Sequence, residues 1–157
     1  VVPFFKKLIA NGADYLPITD SEMTRFWITL QQGVEFVLKN FQRMHGGGIF
    51  VPKIPSMRIV DLAKVIAPNI PLKTIGVRPG EKLHELMYES ENSNETLEFD
   101  DHFVVPPSIR FSNPADYSTN KLGEKGKTVP QGFRYASETN DWWLTHNEMS
   151  NLIEMSE

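Results

Sequence analysis

A chain of 157 residues, 40% of them hydrophobic, can bury one ordinary core. Its formal net charge of −4 and the lack of any basic run longer than two residues leave no electrostatic footprint for nucleic acid. The absence of cysteine excludes disulfides, zinc–thiolate centres and thiol nucleophiles and suits a cytoplasmic setting, and no apolar run approaches the roughly 18 residues of a membrane span.

The chain opens on VVPFFKKLIA, with no methionine and with its charges in the middle of the segment. It does not read as a signal peptide and is expected to be a fragment of a longer product. Phe4, Phe5, Leu8 and Ile9 recur at helical spacing behind Pro3, so a short helix is expected up to about Asn11, with Gly12 closing it. YLPITDSEMTRFWIT then alternates strand-like pieces with turn residues. Thr29 to Gln32 reads as a capping box, and Leu30, Val34, Val37, Leu38 and Phe41 follow with helical spacing to about His45.

Glycines 46 to 48 end that helix, and Ile49–Val51 reads as a short buried strand. Ile59, Leu62, Ala63 and Ile66 form one face of a further helix stopped before Pro68. LKTIGV is a strand leading to Arg78, and Leu83, Leu86 and Met87 predict another helix after Pro79. Beyond Tyr88 the chain turns acidic and then rich in proline and glycine. An extended surface arm is expected there, with short strands at Leu97–Phe99 and Phe103–Val105. A last helix is expected over about His146–Met155, its approach anchored by Trp142, Trp143 and Leu144. The expected organisation is a helix/strand segment over 1–90 and an arm with terminal helix over 91–157, both in one domain.

Within RPGEKLHE, the guanidinium of Arg78 suits bidentate contact with a phosphate, and a helix beginning at Pro79 would add backbone donors. The same features also describe an ordinary helix start, with Glu81 favourable in the first turn. Arg25, on a predicted strand, reads either as the partner of an internal carboxylate or as a second ligand. His84 reads as a surface residue.

Other motifs lead nowhere. His45-Gly-Gly-Gly48 matches an oxyanion-hole motif of some esterases, but the chain has no G-x-S-x-G. Tyr117 and Lys121 match the Y-x-x-x-K pair of short-chain dehydrogenases, yet Pro114 and the glycines at 123 and 126 bracket them and no glycine-rich dinucleotide loop exists. Asn94-Glu-Thr96 is a glycosylation sequon only in a secreted eukaryotic protein. The four histidines lack metal-ligand spacing, so no metal is expected.

VVPFFKKLIANG, LPITDSEMTRFWITLQQGVEFVL, GGGIFVPKIPSMRIVDLAKVIAP and IGVRPGEKLHELM, in this order, resemble the C-terminal half of bacterial UDP-N-acetylglucosamine 4,6-dehydratases of the extended short-chain dehydrogenase/reductase superfamily. The resemblance weakens after Tyr88 and returns at YASETNDWWL. PKIPSM resembles the short, C5-inverting enzymes of pseudaminic acid synthesis. The resemblance implies an α/β fold, α+β in isolation. It implies oxidation of the sugar at C4, loss of water across C5 and C6, and return of hydride at C6, with NADP held by an N-terminal Rossmann domain outside this chain. For this chain alone it implies no cofactor and no catalytic residue, but a substrate-binding set of Val1, Thr19, Arg25, Arg78 and Glu81 for UDP-N-acetylglucosamine, and a homo-oligomer. The alternative is a non-catalytic, self-associating interaction module derived from the same family.

Overall fold

The computed structural model describes residues 1–89, 95–107 and 115–155. Asn94 of the sequon, Pro114 and part of the acidic stretch lie outside the described residues. In chain order the elements are α1 (Val2–Ala10), β1 (Leu16–Ile18), β2 (Thr24–Phe26), α2 (Leu30–Arg43), β3 (Ile49–Pro52), β4 (Ser56–Arg58) and α3 (Ile59–Ile66). There follow β5 (Leu72–Thr74), β6 (Leu86–Tyr88), β7 (Leu97–Glu98), β8 (His102–Val105), β9 (Lys127–Thr128), β10 (Tyr135–Ala136) and α4 (His146–Glu154). The mixture of helices and short strands is the α/β class expected.

The elements gather into two compact units that interleave along the chain, where the sequence suggested successive segments. Unit 1 takes Val1–Thr29, Pro55–Glu85 and Ala136–Glu157, and unit 2 takes Leu30–Ile54 and Leu86–Tyr135.

Unit 1 is organised by α3. Its residues Ile59, Leu62 and Ala63 recur at helical spacing and are buried, against Phe5 of α1, Leu16 and Ile18 of β1, and Met149 and Ile153 of α4. Each large apolar side chain buried in this way contributes about 1.5–3 kcal/mol. The helix ends at Ile66 because Pro68 disfavours a helical Ala67. β1 pairs in parallel with β5, Leu16 opposite Leu72, and β2 pairs antiparallel with β4, Arg25 opposite Met57. The Trp142–Leu144 approach is tied to Ser56, which donates to Trp142 O (2.8 Å) and accepts from Leu144 N (2.9 Å). α4 opens on a capping box, Thr145 with Glu148, which the sequence carries as T-x-x-E.

The helix predicted after Pro79 does not form. Residues 81–85 have no regular structure and Leu86–Tyr88 is the strand β6. Arg78 to Glu81 is instead a tight turn, closed by Glu81 N donating to Arg78 O (3.0 Å), with Pro79 at its second position and Gly80 at φ +83° in its third. That is a type II turn, in which the third position requires positive φ and so favours glycine.

Unit 2 holds an antiparallel sheet in the order β3-β8-β7-β9. The expected surface arm supplies its core. Leu97, Phe99, Phe103 and Val104 are buried, and Phe103 lies 5.0 and 5.1 Å from the rings of Phe133 and Tyr135. Glycines 46 and 47, both at positive φ, terminate α2, and a Cβ on Gly48 would come within 3.2 Å of the Tyr117 ring. Tyr117 donates to Gly46 O from a turn, not from a helix, so the Y-x-x-x-K and HGGG matches resolve into one packing contact.

At the end of α2 the fully buried Arg43 donates to both oxygens of Asp101 (2.9 and 3.0 Å), and its Nε lies 2.8 Å from Glu124. His102, also fully buried, is stacked on Phe99 at 4.6 Å and bonded through Nδ1 to Asp101 (2.8 Å). Burial holds the His102 imidazole below its ordinary pKa. Burial alone would raise the Asp101 carboxyl, but hydrogen bonds from His102, Lys39 and Arg43 hold it well below the usual carboxylate range. Along the rest of α2, Leu30, Val34, Val37, Leu38 and Phe41 share one stripe and are all exposed, Leu30 at 86% and Phe41 at 66%.

Because Asp101 has a depressed pKa in the fold, its contribution is present above the unfolded carboxylate value of about 4 and is lost as pH falls below it. Chemical denaturation between pH 6 and 2.5 is expected to show stability dropping below about pH 4, and the drop to be shallower in Asp101→Asn than in the unsubstituted chain.

Candidate functional site

The residues that the sequence singles out converge in unit 1. Val1, Thr19, Arg25, Arg78 and Glu81 all line one cavity of about 290 Å³, whose apolar floor includes Phe5, Met23 and Ile59. Val1 enters at the start of α1, where its carbonyl accepts from Phe5 N (3.0 Å). Thr19 follows β1, and the chain beyond β5 stays in register with it, Gly76 N donating to Thr19 O (3.1 Å). The Arg78–Glu81 turn then closes one side.

Glu81 ties the turn together. Its Oε1 accepts from the Thr19 hydroxyl (3.1 Å) and its Oε2 from Arg78 N (3.2 Å). Thr19 therefore spends its proton on Glu81 and presents lone pairs outward. The guanidinium of exposed Arg78 has no ion-pair or hydrogen-bond partner among the described residues. A planar cation with five free donors, held on a turn whose backbone is fixed, suits an anion that takes two hydrogen bonds at once. The helix N-terminus expected to assist it is absent, so no helix dipole stands beside the guanidinium.

Arg25 is differently placed. Nη1 donates to Thr24 O (2.7 Å) and Leu83 O (3.0 Å), Nη2 donates to Lys82 O (2.8 Å), and Nε lies 3.3 Å from Glu85 Oε1. The carboxylate partner anticipated for this arginine is Glu85, but it is half-exposed rather than internal. His84 is no free surface residue. Its Nδ1 is 2.8 Å from the buried Thr24 hydroxyl, which is 2.6 Å from the buried Ser137 hydroxyl, and Ser137 Oγ accepts from Glu85 N (2.9 Å). Each hydroxyl can donate once along this chain, from Ser137 to Thr24 to His84 Nδ1. Ser137 carries no local motif, and no signal in the sequence pairs it with residues 24 and 85.

No group of three or more potential ligands that could hold a metal ion occurs among the described residues. Nor do these residues fit a dinucleotide. In the one glycine run, Gly46–Gly48, Gly47 is packed by Pro107 and Gly48 by the Tyr117 ring, which leaves no stretch of open backbone for a pyrophosphate.

The profile of the family described as polysaccharide biosynthesis protein matches residues 1–107. The chain belongs to that family. Among curated relatives, the UDP-N-acetylglucosamine 4,6-dehydratase (inverting) of Campylobacter jejuni is 56% identical over 158 residues, covering 100% of this chain and 47% of the relative. The UDP-glucose 4-epimerase of Rickettsia massiliae is 36% identical over 129 residues, covering 80% of this chain and 37% of the relative. Among solved structures, Pen from Bacillus thuringiensis superposes with a TM-score of 0.74 at 27% identity, covering 99% of this chain and 45% of that one. The chain thus spans about half the length of the curated relatives it matches. No helix among the described residues is long and apolar enough to cross a membrane.

Proposed function

We propose that this chain is the sugar-nucleotide-binding portion of a C5-inverting UDP-N-acetylglucosamine 4,6-dehydratase, a cytoplasmic enzyme that makes a UDP-4-keto-6-deoxy-hexose for pseudaminic acid or another surface glycan. The observation that carries this reading is the unpartnered Arg78 guanidinium at the rim of a cavity that Thr19, Glu81 and Val1 also line. Arg78 holds the diphosphate, Glu81 and Thr19 meet hydroxyls or the nucleotide, and Val1 bounds the pocket. A cavity near the low end of the roughly 300–1,000 Å³ usual for small-molecule sites suits one wall of a larger cleft.

The relatives support the reading in a second way. A dehydratase and an epimerase, by their names, act on different UDP-sugars by different reactions, yet both match this stretch. What they share here is better explained by binding than by chemistry. The C4 oxidation and the elimination belong to groups outside these residues, and NADP to the nucleotide-binding half of the parent enzyme.

The exposed stripe of α2 supports a homo-oligomer, since a contiguous apolar surface of this kind marks an association site. It also favours the rival reading of a non-catalytic module. Sedimentation at micromolar concentration is expected to show a species larger than a monomer, dispersed by Phe41→Glu, and a monodisperse monomer would count against it. Calorimetric titration with UDP-N-acetylglucosamine is expected to give binding without turnover, weakened by Arg78→Ala by about 1.5–3 kcal/mol, the worth of hydrogen bonds to a charged group. Unchanged affinity in that variant would remove Arg78 from the site, and absence of binding beside a stable oligomer would favour the module.

A further inference from the structure

The resemblance places Arg25 as a second phosphate-side residue, but its bonds assign it other work. An arginine has five N–H donors. Three go to the carbonyls of Thr24, Lys82 and Leu83 and a fourth faces Glu85, which leaves a single Nη2 proton for any ligand. Three of these four partners lie in residues 82–85, which follow the Arg78–Glu81 turn without a break.

Residues 82–85 have no helix or strand of their own. Four of their backbone groups are paired with distant residues, the carbonyls of Lys82 and Leu83 with Arg25 and Thr24 of β2, and the N–H and carbonyl of Glu85 with Ser137. Thr24 N donates to Leu83 O (3.1 Å), and Ser137 both receives Glu85 N at its hydroxyl (2.9 Å) and donates its own N–H to Glu85 O (2.8 Å). The segment is therefore held by residues about 50 or more positions away in sequence.

We propose that Arg25 is a positioning residue for the nucleotide-sugar site. Its planar fork clamps residues 82–85, and that clamp fixes the turn that aims Arg78 and Glu81 into the cavity. The proposal rests on the reading of the cavity as a nucleotide-sugar site, and its physical core, the clamp, stands apart from any ligand. Lysine offers a point charge on a flexible stem and cannot bridge three carbonyls and a carboxylate at once. A ligand role would tolerate lysine better than a clamp does.

Amide hydrogen exchange on the unliganded chain reads the clamp directly, comparing the unsubstituted protein with Arg25→Lys, Arg25→Ala and the milder Glu85→Ala. Exchange over residues 78–85 is expected to speed up by at least about tenfold in both Arg25 variants and by less in Glu85→Ala, with protection in α3 unchanged. Affinity for UDP-N-acetylglucosamine is expected to fall about tenfold in Arg25→Lys as well as in Arg25→Ala. Exchange over 78–85 that stays as in the unsubstituted chain would overturn the proposal, as would a lysine variant that keeps full affinity. If Arg25→Ala loosens α3 as well, the Glu85→Ala comparison decides, and no local acceleration there overturns the clamp. If the unsubstituted chain binds no nucleotide sugar, the reading of the cavity fails while the exchange comparison still tests the clamp.

Discussion

Residues 82–85 must hydrogen-bond to something, and in this chain the partners are the Arg25 fork, the Thr24 backbone and Ser137 rather than their own neighbours. Buried or half-buried backbone groups left unpaired would cost about 1–3 kcal/mol each, so the alternative to these distant partners is a helix that closes its own bonds. Next to the segment so held, Glu81 is set between Thr19 and Arg78, and the guanidinium of Arg78 lines the cavity without a partner among the described residues.

This is also where the sequence misleads. Leu83, Leu86 and Met87 have the spacing of a helix, and Pro79 suits its first position, but spacing reports only local preference. The deciding bonds come from residues far off in the chain. The type II geometry of the Arg78–Glu81 turn uses Pro79 at its second position and Gly80 at its third, as such turns favour. His84 was read as a surface residue for the same reason, since its partners Thr24 and Ser137 are not its neighbours in sequence.

Elements that stand on their own periodicity were legible. α3 is a helix with its apolar face inward, and α4 begins where the last helix was expected. The five site positions, carried over from the family resemblance, line one cavity, which neither periodicity nor charge could have shown. Unit 2 was read less well. The strands expected at Leu97–Phe99 and Phe103–Val105 form within a residue as β7 and β8, but the surrounding proline and glycine suggested a surface arm where Phe99, Phe103 and Val104 are buried, and the last turn of α2 gave no sign that Arg43 would be buried between two carboxylates. A charge buried in this way is tolerated because both partners and their hydrogen bonds are present. The apolar stripe of α2 was recognised by its spacing, but its exposure could be seen only in the fold.

The proposed binding of a UDP-sugar to unit 1 through the Arg78–Glu81 turn can be read by titrating the isotopically labelled chain with UDP-N-acetylglucosamine while following its amide resonances. The expected result is a saturable set of shifts at Thr19, Arg78, Gly80 and Glu81 and in the first turn of α1, with the resonances of β7 and β8 unmoved. Shifts confined to unit 2, or no saturable shift at millimolar nucleotide sugar, would rule out this binding mode.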